Sequence, residues 1–466
     1  MKVAVIGLDC AAPQLVFEQF CEDLPNLRRL MDAGVWGRLR SCNPPITVPA
    51  WSCMMSGFDP GQLGIYGFRN RKDHSYGGYT IANGSAIGVD RVWDVLSAAG
   101  KQVILLGVPQ TYPVRPVNGC VVSDFLTPST DSEYTFPPAL KAEVERASGG
   151  YVFDVDNFRT TDKEALLRRI YAKTEKHFAV ARRLVSSKAW DFFMMVEMGT
   201  DRIHHAFWSY MDPTHPKYER GNPYEGAIRE YYRYVDHELG ELVAMLPVNT
   251  TVFVVSDHGA RKLEGGICFN EWLIHEGYLA LKKYPHQPSP LESVEIDWPR
   301  TIAWADGGYY GRLFLNVKGR EPRGVVAPED YEKVRGELVQ RIAGIVDPNG
   351  QNIGSRAHRP EELYRSVNGI APDLIVYFGD LDWRSVGSVG YGSIYSFEND
   401  TGPDEANHDW DGIFIMRGTR IVAPRAHYDI YDVGPTILNL FDLKAAPGAV
   451  GTPMPLVANG SPPGVQ

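Results

Sequence analysis

Residues 3–9 read VAVIGLD, an uninterrupted apolar run that ends on a carboxylate. A short run without polar alternation is typical of a parallel strand that is buried on both faces of a sheet. A helical pattern follows over residues 14–31. The chain therefore opens with a predicted strand and its crossover helix, which indicates an α/β fold.

The same alternation of helical segments and apolar strands recurs along the chain. The predicted helix–strand pairs are 92–99 with 103–108, 163–187 with 190–197, 224–246 with 251–256 and 329–346 with 374–378, and residues 412–416 form a further candidate strand. This pattern predicts a mostly parallel central sheet between layers of helices.

Two regions depart from this pattern. Residues 57–83 are rich in Gly, Tyr, Arg and Asn and are predicted to form a surface loop at the active site, whereas residues 259–325 have weak periodicity and many aromatic side chains. We predict a catalytic core of residues 1–258 and 326–457, with residues 259–325 as an inserted cap region. Residues 458–466 are rich in Gly, Pro and Ser and are expected to form a flexible tail.

Composition narrows the range of partners. The chain has 466 residues, of which 44% are hydrophobic and 22% charged, as in ordinary globular proteins. Its net charge of −10 is unfavourable for general binding to nucleic acid polymers or to anionic membranes. No stretch approaches the roughly 20 apolar residues of a membrane helix. Six cysteines without a CxxC pair suit a reducing compartment, so we expect a soluble cytoplasmic protein.

Carboxylates follow three of the predicted strands. Asp9 ends the first strand, Asp201 comes after residues 190–197, and Asp257 comes directly after residues 251–256. In open α/β sheets, functional sites gather at the carboxyl ends of the strands. These distant segments are therefore expected to converge on one site.

Histidines accompany these carboxylates. Asp201 and His205 are four residues apart, so a helix places both on one face, as a chelating pair requires. Alternatively, Asp201 is a first-turn charge that complements the helix dipole. His204 lies on a different face and is expected to be structural or exposed to solvent. His258 follows Asp257 at a strand-to-loop turn, and His408 is either a ligand or a solvated loop residue.

Residues 42–51 read CNPPITVPAW and are the most informative segment for chemistry. Pro49 suits the first turn of a helix, which places Thr47 just ahead of the helix start. Free backbone N–H groups at such a position attract phosphate. A Thr hydroxyl beside a metal ion could ionise and attack phosphorus. The alternative is a simple capping threonine.

The order of these motifs is more specific than any one of them. Asp, then Thr, then Asp-x-x-x-His, then Asp-His-Gly, then a late His resembles the alkaline phosphatase superfamily, in particular its type I phosphodiesterase/nucleotide pyrophosphatase branch. Within that branch, residues 64–68, 311–322 and 371–375 look like the group of predicted phosphohydrolases and phosphomutases. The resemblance implies an alkaline-phosphatase-like sandwich of helices around a mostly parallel sheet.

The resemblance also implies a two-metal site. One metal would be bound by Asp201, His205 and His408, and the other by Asp9, Asp257 and His258 with Thr47 completing the set. Zn²⁺ suits such ligands, and Mn²⁺ is chemically acceptable. Thr47 would attack phosphorus, form a phosphothreonine and be released by water, while the two divalent metal ions clamp the attacking and leaving oxygens.

The chain departs from the nucleotide pyrophosphatases at one position. Phe68 stands where those enzymes carry an asparagine that helps to bind phosphate. Arg69 and Arg71 follow closely and either donate to phosphate oxygens or are solvated loop residues. A sulfatase would need Cys-x-Pro-x-Arg, but Ile46 occupies the arginine position, so a sulfatase is set aside.

The expected substrate is a small-molecule phosphoester. The aromatic, glycine-rich loop 68–79 and the segment 304–310 could form a pocket for a second organic group, which favours a phosphodiester. A phosphomonoesterase, a phosphomutase and an inactive metal-binding relative are the alternatives. The oligomeric state is not predicted by the sequence.

Overall fold

A computed structural model of the protein describes residues 1–459. Its helices are α1 Pro25–Asp32, α2 Thr47–Ser56, α3 Pro60–Leu63, α4 Val92–Ala98, α5 Leu140–Ser148, α6 Lys163–Ser187, α7 Gly199–Met211, α8 Ala227–Ala244, α9 Phe269–His275, α10 Tyr331–Ala343, α11 Pro360–Leu363 and α12 Ile430–Leu440. The first strands are β1 Val3–Leu8, β2 Val35–Arg40, β3 Arg69–Arg71, β4 Tyr79–Ile81, β5 Val103–Leu106, β6 Gly119–Val122, β7 Thr135–Phe136, β8 Phe192–Glu197, β9 Thr251–Val255, β10 Gly259–Lys262 and β11 Gly265–Cys268. The remaining strands are β12 Ala303–Asp306, β13 Gly311–Leu315, β14 Arg356–His358, β15 Leu374–Tyr377, β16 Trp383–Val386, β17 Tyr395–Ser396, β18 Ala406–Asp409, β19 Asp411–Arg417, β20 Arg420–Val422, β21 His427–Asp429 and β22 Leu456–Ala458.

The central sheet has nine strands in the order β21-β2-β19-β9-β1-β8-β5-β6-β7. Strands β9, β1, β8, β5 and β6 are all parallel to their neighbours within this run. Strand β19 is antiparallel to both β2 and β9. The predicted α/β fold with a mostly parallel central sheet is therefore confirmed.

Helices cover both faces of this sheet. In β1, Ala4 and Ile6 belong to one apolar core together with side chains of α1, α6, α7 and α8. Val3 and Val5 point into the opposite core, which α2, α4 and α12 complete. Burial on both faces explains why the opening strand reads as a continuous apolar run.

The predicted single helix over residues 14–31 is wrong. The segment forms a π-helical turn at Gln14–Gln19, a 3₁₀ turn at Cys21–Asp23 and the short helix α1. Pro25 is the physical reason, because its ring disfavours the helical conformation at the preceding residue. Leu24 accordingly has φ −115° and ψ 65°.

A second, four-stranded antiparallel sheet has the order β12-β13-β15-β14. The predicted assignment of residues 374–378 to the central sheet is wrong, because β15 lies between β13 and β14. An apolar run buried in either sheet looks the same in sequence.

Strands β11, β16 and β17 form a third sheet, in the order β16-β11-β17. We call residues 265–396 the cap; it crosses the predicted boundary at residue 325.

Two other predicted segments also differ from the structure. Residues 57–83, predicted to form a surface loop, contain the short helix α3 and a hairpin of β3 and β4. The predicted tail begins at Ala458, which pairs with Arg420 in a two-stranded sheet. Residues 460–466 of that tail lie outside the described residues. Among the described helices, none has both the length and the apolar character needed to cross a membrane.

A buried ion pair anchors the start of α7 to α6. Lys173 and Glu197 are both almost completely buried, with Nζ 3.0 Å from Oε1. The same carboxylate oxygen accepts hydrogen bonds from the Thr174 hydroxyl at 3.1 Å and the Gly199 N–H at 2.8 Å. Glu197 therefore fixes the end of β8 and the first residue of α7.

Replacing the cation of this pair tests its contribution. We expect Lys173→Met to lower the free energy of unfolding by about 3–5 kcal/mol, because it leaves a buried carboxylate without its counter-charge. Lys188→Met is the matched control, since Lys188 pairs with Glu143 at 2.6 Å on the surface and is 35% exposed. That control should cost less than about 1 kcal/mol. Urea unfolding of both variants measures the difference, and equal small losses would contradict the anchoring role.

Candidate active site

Four of the functional side chains follow three adjacent strands. Asp9 directly follows β1, and Asp257 and His258 follow β9 after the single residue Ser256. Helix α7 begins two residues after β8 and carries Asp201 in its first turn. Because β9, β1 and β8 are parallel neighbours, these three segments meet at one edge of the central sheet.

One group of ligand atoms brings together Asp201, His205 and His408. The Asp201 Oδ1 atom lies 3.2 Å from His205 Nε2 and 3.6 Å from His408 Nε2, and the two imidazole nitrogens are 3.3 Å apart. Asp201 and His205 share one face of α7, as their spacing predicts. His408 reaches them because β18 pairs with β10, where it lies opposite Ala260.

A second group lies beside the first. One ligand atom each of Asp9, Asp201 and His258 lies within 4.8 Å of the others. Asp257 Oδ2 is 3.2 Å from His258 Nε2, and Asp9 Oδ1 is 3.9 Å from the same nitrogen. The structure thus gathers all six predicted aspartate and histidine ligands, with Asp201 positioned between the two groups. The assignment of each ligand to one particular ion stays a prediction.

The histidines are oriented by hydrogen bonds on their far side. The Nδ1 atoms of His258 and His408 lie 3.0 Å and 2.9 Å from the carbonyl oxygens of Gly259 and Pro45. A carbonyl only accepts, so each Nδ1 carries the proton and each Nε2 presents its lone pair to the cluster. His205 Nδ1 similarly lies 2.7 Å from a carboxylate oxygen of Asp404.

Two carboxylate oxygens at this site are buried without a protein partner. Asp201 Oδ1 and Asp257 Oδ2 accept no hydrogen bond from any described residue. Buried acceptors without donors are costly unless a cation satisfies them. Together with the imidazole nitrogens, they form a nitrogen and oxygen donor set that suits divalent Zn²⁺ or Mn²⁺. The residues therefore fit divalent metal ions.

Burial is the largest influence on the electrostatics of these side chains. Burial and the charge of Asp201 raise the pKa of Asp9 well above its usual range, and burial and Asp9 do the same for the pKa of Asp257. Burial lowers the pKa of His258 to about 4, so its ring is neutral at pH 7. Burial also opposes ionisation of Asp201, but the charges of His205 and Arg202 outweigh it and lower the pKa of Asp201.

Thr47 is the first residue of α2, so the helix begins at Thr47 and not just after it as predicted. Its side chain is buried, with Oγ1 3.5 Å from Asp9 Oδ1 and 3.3 Å from His258 Nε2. The N-cap position belongs to Ile46, and no side-chain hydrogen bond caps this helix. The hydroxyl therefore faces the carboxylate and imidazole cluster, so a simple capping role is excluded.

Sequence reasoning missed residues that position the ligands. Trp51 Nε1 donates to Asp9 Oδ2 at 2.7 Å. The sequence contains a signal for Trp51, because Thr47 and Trp51 are four residues apart and therefore share one face of the helix. Asp404 binds His205 and also receives hydrogen bonds from Arg159 at 3.1 Å and Arg384 at 2.9 Å. No spacing rule links Asp404 to His205, which is 199 residues away.

An aromatic side chain of the cap lies directly on the candidate metal ligands. The Tyr309 ring stacks on His408 with a centroid distance of 3.9 Å, and His258 stacks on the same imidazole at 3.8 Å. Arg159 Nη2 donates to the Tyr309 hydroxyl at 3.0 Å. The cap therefore forms part of the wall of the site.

The three residues predicted to contact the substrate lie in surroundings that differ from one another. Phe68 packs against apolar clusters that include Ile46 and Val48, the two neighbours of Thr47. Arg69 is exposed on the β3–β4 hairpin. Arg71 is instead buried, 3.3 Å from Glu321, and donates to the Ser75 carbonyl at 3.0 Å.

His204 is buried rather than exposed to solvent. Its Nε2 lies 3.1 Å from the Tyr232 hydroxyl. Of the two roles considered for it, the structure supports the structural one.

Comparison with solved structures shows the fold. The chain is similar to human ectonucleotide pyrophosphatase/phosphodiesterase 5 at 13% identity and a TM-score of 0.57, with 96% of each chain covered. It is similar to the murine protein, in an inactive threonine-to-alanine variant in complex with AMP, at 14% identity and a TM-score of 0.55. Phosphonoacetate hydrolase from Sinorhizobium meliloti, in complex with phosphonoformate, gives a TM-score of 0.62 at 14% identity. Both of these cover 96% of each chain.

No curated protein sequence gives a significant match. Comparison with family models gives a match to "type I phosphodiesterase / nucleotide pyrophosphatase" over residues 3–411. That range contains Thr47 and all six clustered acidic and histidine side chains. The chain therefore belongs to the type I phosphodiesterase/nucleotide pyrophosphatase family, whose members are hydrolases of phosphoric esters.

Proposed function

We propose that this protein hydrolyses small-molecule phosphodiesters through a phosphothreonine intermediate on Thr47. One observation carries the proposal. The buried Thr47 hydroxyl lies at the start of α2 and within 3.5 Å of both Asp9 and His258. A nucleophile therefore adjoins the cluster that fits divalent cations.

The proposed metal-binding residues are those of the sequence prediction. Asp201, His205 and His408 would hold one divalent ion, and Asp9, Asp257 and His258 with Thr47 would hold the other. Zn²⁺ is the proposed ion, with Mn²⁺ as the alternative. When bound, these ions supply positive charge that lowers the pKa of the Thr47 hydroxyl and offsets the charge of the phosphoryl group.

The Thr47 hydroxyl releases its proton to water, and its Oγ forms a bond to phosphorus as the bond from phosphorus to the leaving oxygen breaks. The leaving oxygen takes up a proton from water and departs as the alcohol. The N–H groups of Thr47 and Val48, at the start of α2, have no partner within the helix and are available to the phosphoryl oxygens. Trp51 holds Asp9 in place during this step through its 2.7 Å hydrogen bond. Water then attacks phosphorus, the bond to Thr47 Oγ breaks, and the free hydroxyl is restored.

The arrangement of arginines supports a diester rather than a monoester. A monoester carries an extra anionic oxygen, which an additional cation at the site would match. Arg202 is held by Asp154 and Asp201, and Arg159 and Arg384 are held by Asp404. These nearby guanidinium groups are thus already paired with carboxylates, so their charge is largely neutralised.

Structural neighbours support a small phosphorus-containing substrate. One neighbour has been captured with AMP as an inactive threonine-to-alanine variant, and another has been captured with phosphonoformate. Both ligands are small and carry a phosphorus–oxygen anion. A phosphomonoesterase or a phosphomutase of the same superfamily is the alternative function, and an inactive metal-binding relative is the second alternative.

The nucleophile is tested by substitution. We expect Thr47→Ala to lower kcat/KM for bis-p-nitrophenyl phosphate by at least about a thousandfold, because the attacking oxygen is removed. Thr47→Ser keeps a hydroxyl and is the matched control, which should retain measurable turnover. Metal content of each purified protein shows whether the cluster is intact. Full activity of a metal-replete Thr47→Ala variant would overturn the proposal.

The ester preference is tested with a pair of substrates. We expect the Zn²⁺-loaded or Mn²⁺-loaded protein to cleave bis-p-nitrophenyl phosphate at least about tenfold faster than p-nitrophenyl phosphate. A monoester preference would contradict the diester assignment. Product analysis in ¹⁸O-labelled water then separates hydrolysis, which incorporates label, from a mutase reaction, which does not.

Asp404, the hydrogen-bond partner of His205, is also tested by substitution. We expect Asp404→Asn to weaken metal binding by about 10–100-fold, because His205 loses the carboxylate that fixes its orientation. Asp409→Asn is the control. Asp409 lies next to His408 in β18, and its carboxylate accepts a hydrogen bond from the Trp410 N–H rather than contacting His205. Competition with a chromogenic chelator measures affinity. Equal affinity of the two variants would show that Asp404 does not support the metal site.

We also propose a cytoplasmic location. All six cysteines are unpaired, and five of them are buried. Unpaired cysteines suit a reducing compartment. Fractionation of the native host with compartment markers tests the proposal, and recovery outside the cytoplasm would contradict it.

A further inference from the structure

Arg202 is a buried arginine that contacts a candidate metal ligand and has no role in the proposed bond changes. It follows Asp201 near the start of α7, and its side chain is only 9% exposed. Its Nη1 atom donates to Asp201 Oδ2. Its Nε and Nη2 atoms donate to the two carboxylate oxygens of Asp154, at 2.9 Å and 2.6 Å. The guanidinium therefore bridges two carboxylates, of which one belongs to the candidate metal site.

The contacts with Asp154 fix the orientation of this guanidinium. Asp154 lies between α5 and α6, and its Oδ1 atom also accepts the Val155 N–H at 2.7 Å. The guanidinium carbon lies over the ring of Phe158, 4.4 Å from its centre. A planar group that makes two parallel hydrogen bonds on one edge and packs on a ring has little freedom to rotate. Nη1 is therefore held in its direction towards Asp201.

The two carboxylate oxygens of Asp201 consequently have different surroundings. Oδ2 accepts the hydrogen bond from Arg202. Oδ1 accepts no hydrogen bond from any described residue, and it lies 3.2 Å from His205 Nε2 and 3.6 Å from His408 Nε2. Asp201 thus offers one oxygen to the cluster. With the two imidazole nitrogens, this group presents three ligand atoms.

The number of ligand atoms bears on which metal ion such a group prefers. Catalytic Zn²⁺ sites use three protein ligands and leave a further position open to water or substrate. Mn²⁺ instead favours octahedral coordination, mainly by oxygen atoms. A carboxylate that binds a cation through both oxygens raises the number of ligands, as in sites with high coordination numbers. Withholding Oδ2 of Asp201 therefore favours Zn²⁺.

We propose that Arg202, oriented by Asp154, is a positioning residue that sets metal selectivity: it restricts Asp201 to one ligand oxygen and thereby favours Zn²⁺ over Mn²⁺. The proposal rests on the proposed function, from which it takes the ligand roles of Asp201, His205 and His408. Arg202 itself lies outside that ligand set. It decides between two ions that the ligand types alone accept equally.

The charge of Arg202 and its geometry have separable effects. A positive charge beside the site opposes the binding of both ions, and both ions carry the same charge. Removing that charge should therefore change the two affinities by a similar factor, as should a general loss of structure. The ratio of Zn²⁺ affinity to Mn²⁺ affinity responds instead to the number of oxygens that Asp201 can offer.

Three variants and a matched control test the proposal. Arg202→Gln removes the planar fork together with its charge, whereas Arg202→Lys keeps the charge but cannot bind both carboxylates in the same geometry. Asp154→Asn alters a partly exposed side chain and carries the least risk to folding. Arg384→Gln is the control, because Arg384 is equally buried but donates to Asp404, which is outside the ligand set, at 2.9 Å.

Competition titrations of the metal-free proteins with a chromogenic chelator give the affinities for Zn²⁺ and Mn²⁺. We expect the Zn²⁺/Mn²⁺ affinity ratio to fall at least about tenfold in Arg202→Gln and at least about threefold in Arg202→Lys and Asp154→Asn. Arg384→Gln should change it less than about twofold. An unchanged ratio in these three variants, a fall confined to Arg202→Gln or an equal fall in the control would each overturn the proposal.

The titrations separate this proposal from the proposed function, because they measure metal binding without turnover. If the ratio falls as expected but neither bis-p-nitrophenyl phosphate nor p-nitrophenyl phosphate is cleaved, the hydrolase proposal fails and the role of Arg202 stands. If the wild type cleaves the diester but the ratio is the same in every variant, the role of Arg202 fails and the hydrolase proposal stands. A protein that binds neither ion and cleaves neither ester would contradict both.

Discussion

Three carboxylates, those of Asp9, Asp201 and Asp257, are buried together at one edge of the central sheet. Like charges in a low-dielectric interior repel strongly, and each also loses the solvation it would have in water. The protein offsets part of this cost with Trp51, with Arg202 and with the Cys10 N–H, which donates to Asp257. Two carboxylate oxygens are nevertheless left without a donor. A divalent cation would resolve this imbalance, so the arrangement that is costly on electrostatic grounds is also the one that would bind positive charge.

The geometry of the sheet makes this burial possible. Strands β9, β1 and β8 are parallel neighbours, so their carboxyl ends lie side by side and direct residues far apart in sequence to one place. Cys10, immediately after Asp9, has a φ of 63°, which is unusual for a residue with a side chain. Such a conformation costs energy and persists only where its surroundings hold it. Here it turns the chain so that the Cys10 N–H points at Asp257.

The sequence predicts the central sheet better than the cap for a physical reason. Strands buried on both faces, such as β1, read as continuous apolar runs, and the ligands follow them directly. Strand β15 reads in the same way, but its antiparallel partners β13 and β14 are set by contacts that periodicity does not encode. Similarly, the spacing of Asp201 and His205 is visible in sequence, whereas Asp404 approaches His205 only through folding. The break at Pro25 and the half-exposed alternation of β2 can both be read from the sequence.

The stack of His258, His408 and Tyr309 has a consequence for how this scaffold can diversify. Two of its rings belong to the catalytic core and the third to the cap. The cap is therefore not a detachable module that can be exchanged freely between relatives. A transplanted cap must bring a ring to the position of Tyr309, or the imidazole of His408 loses one of its packed faces. Variation is least constrained elsewhere in the cap, at positions that shape the surrounding space without touching that ring.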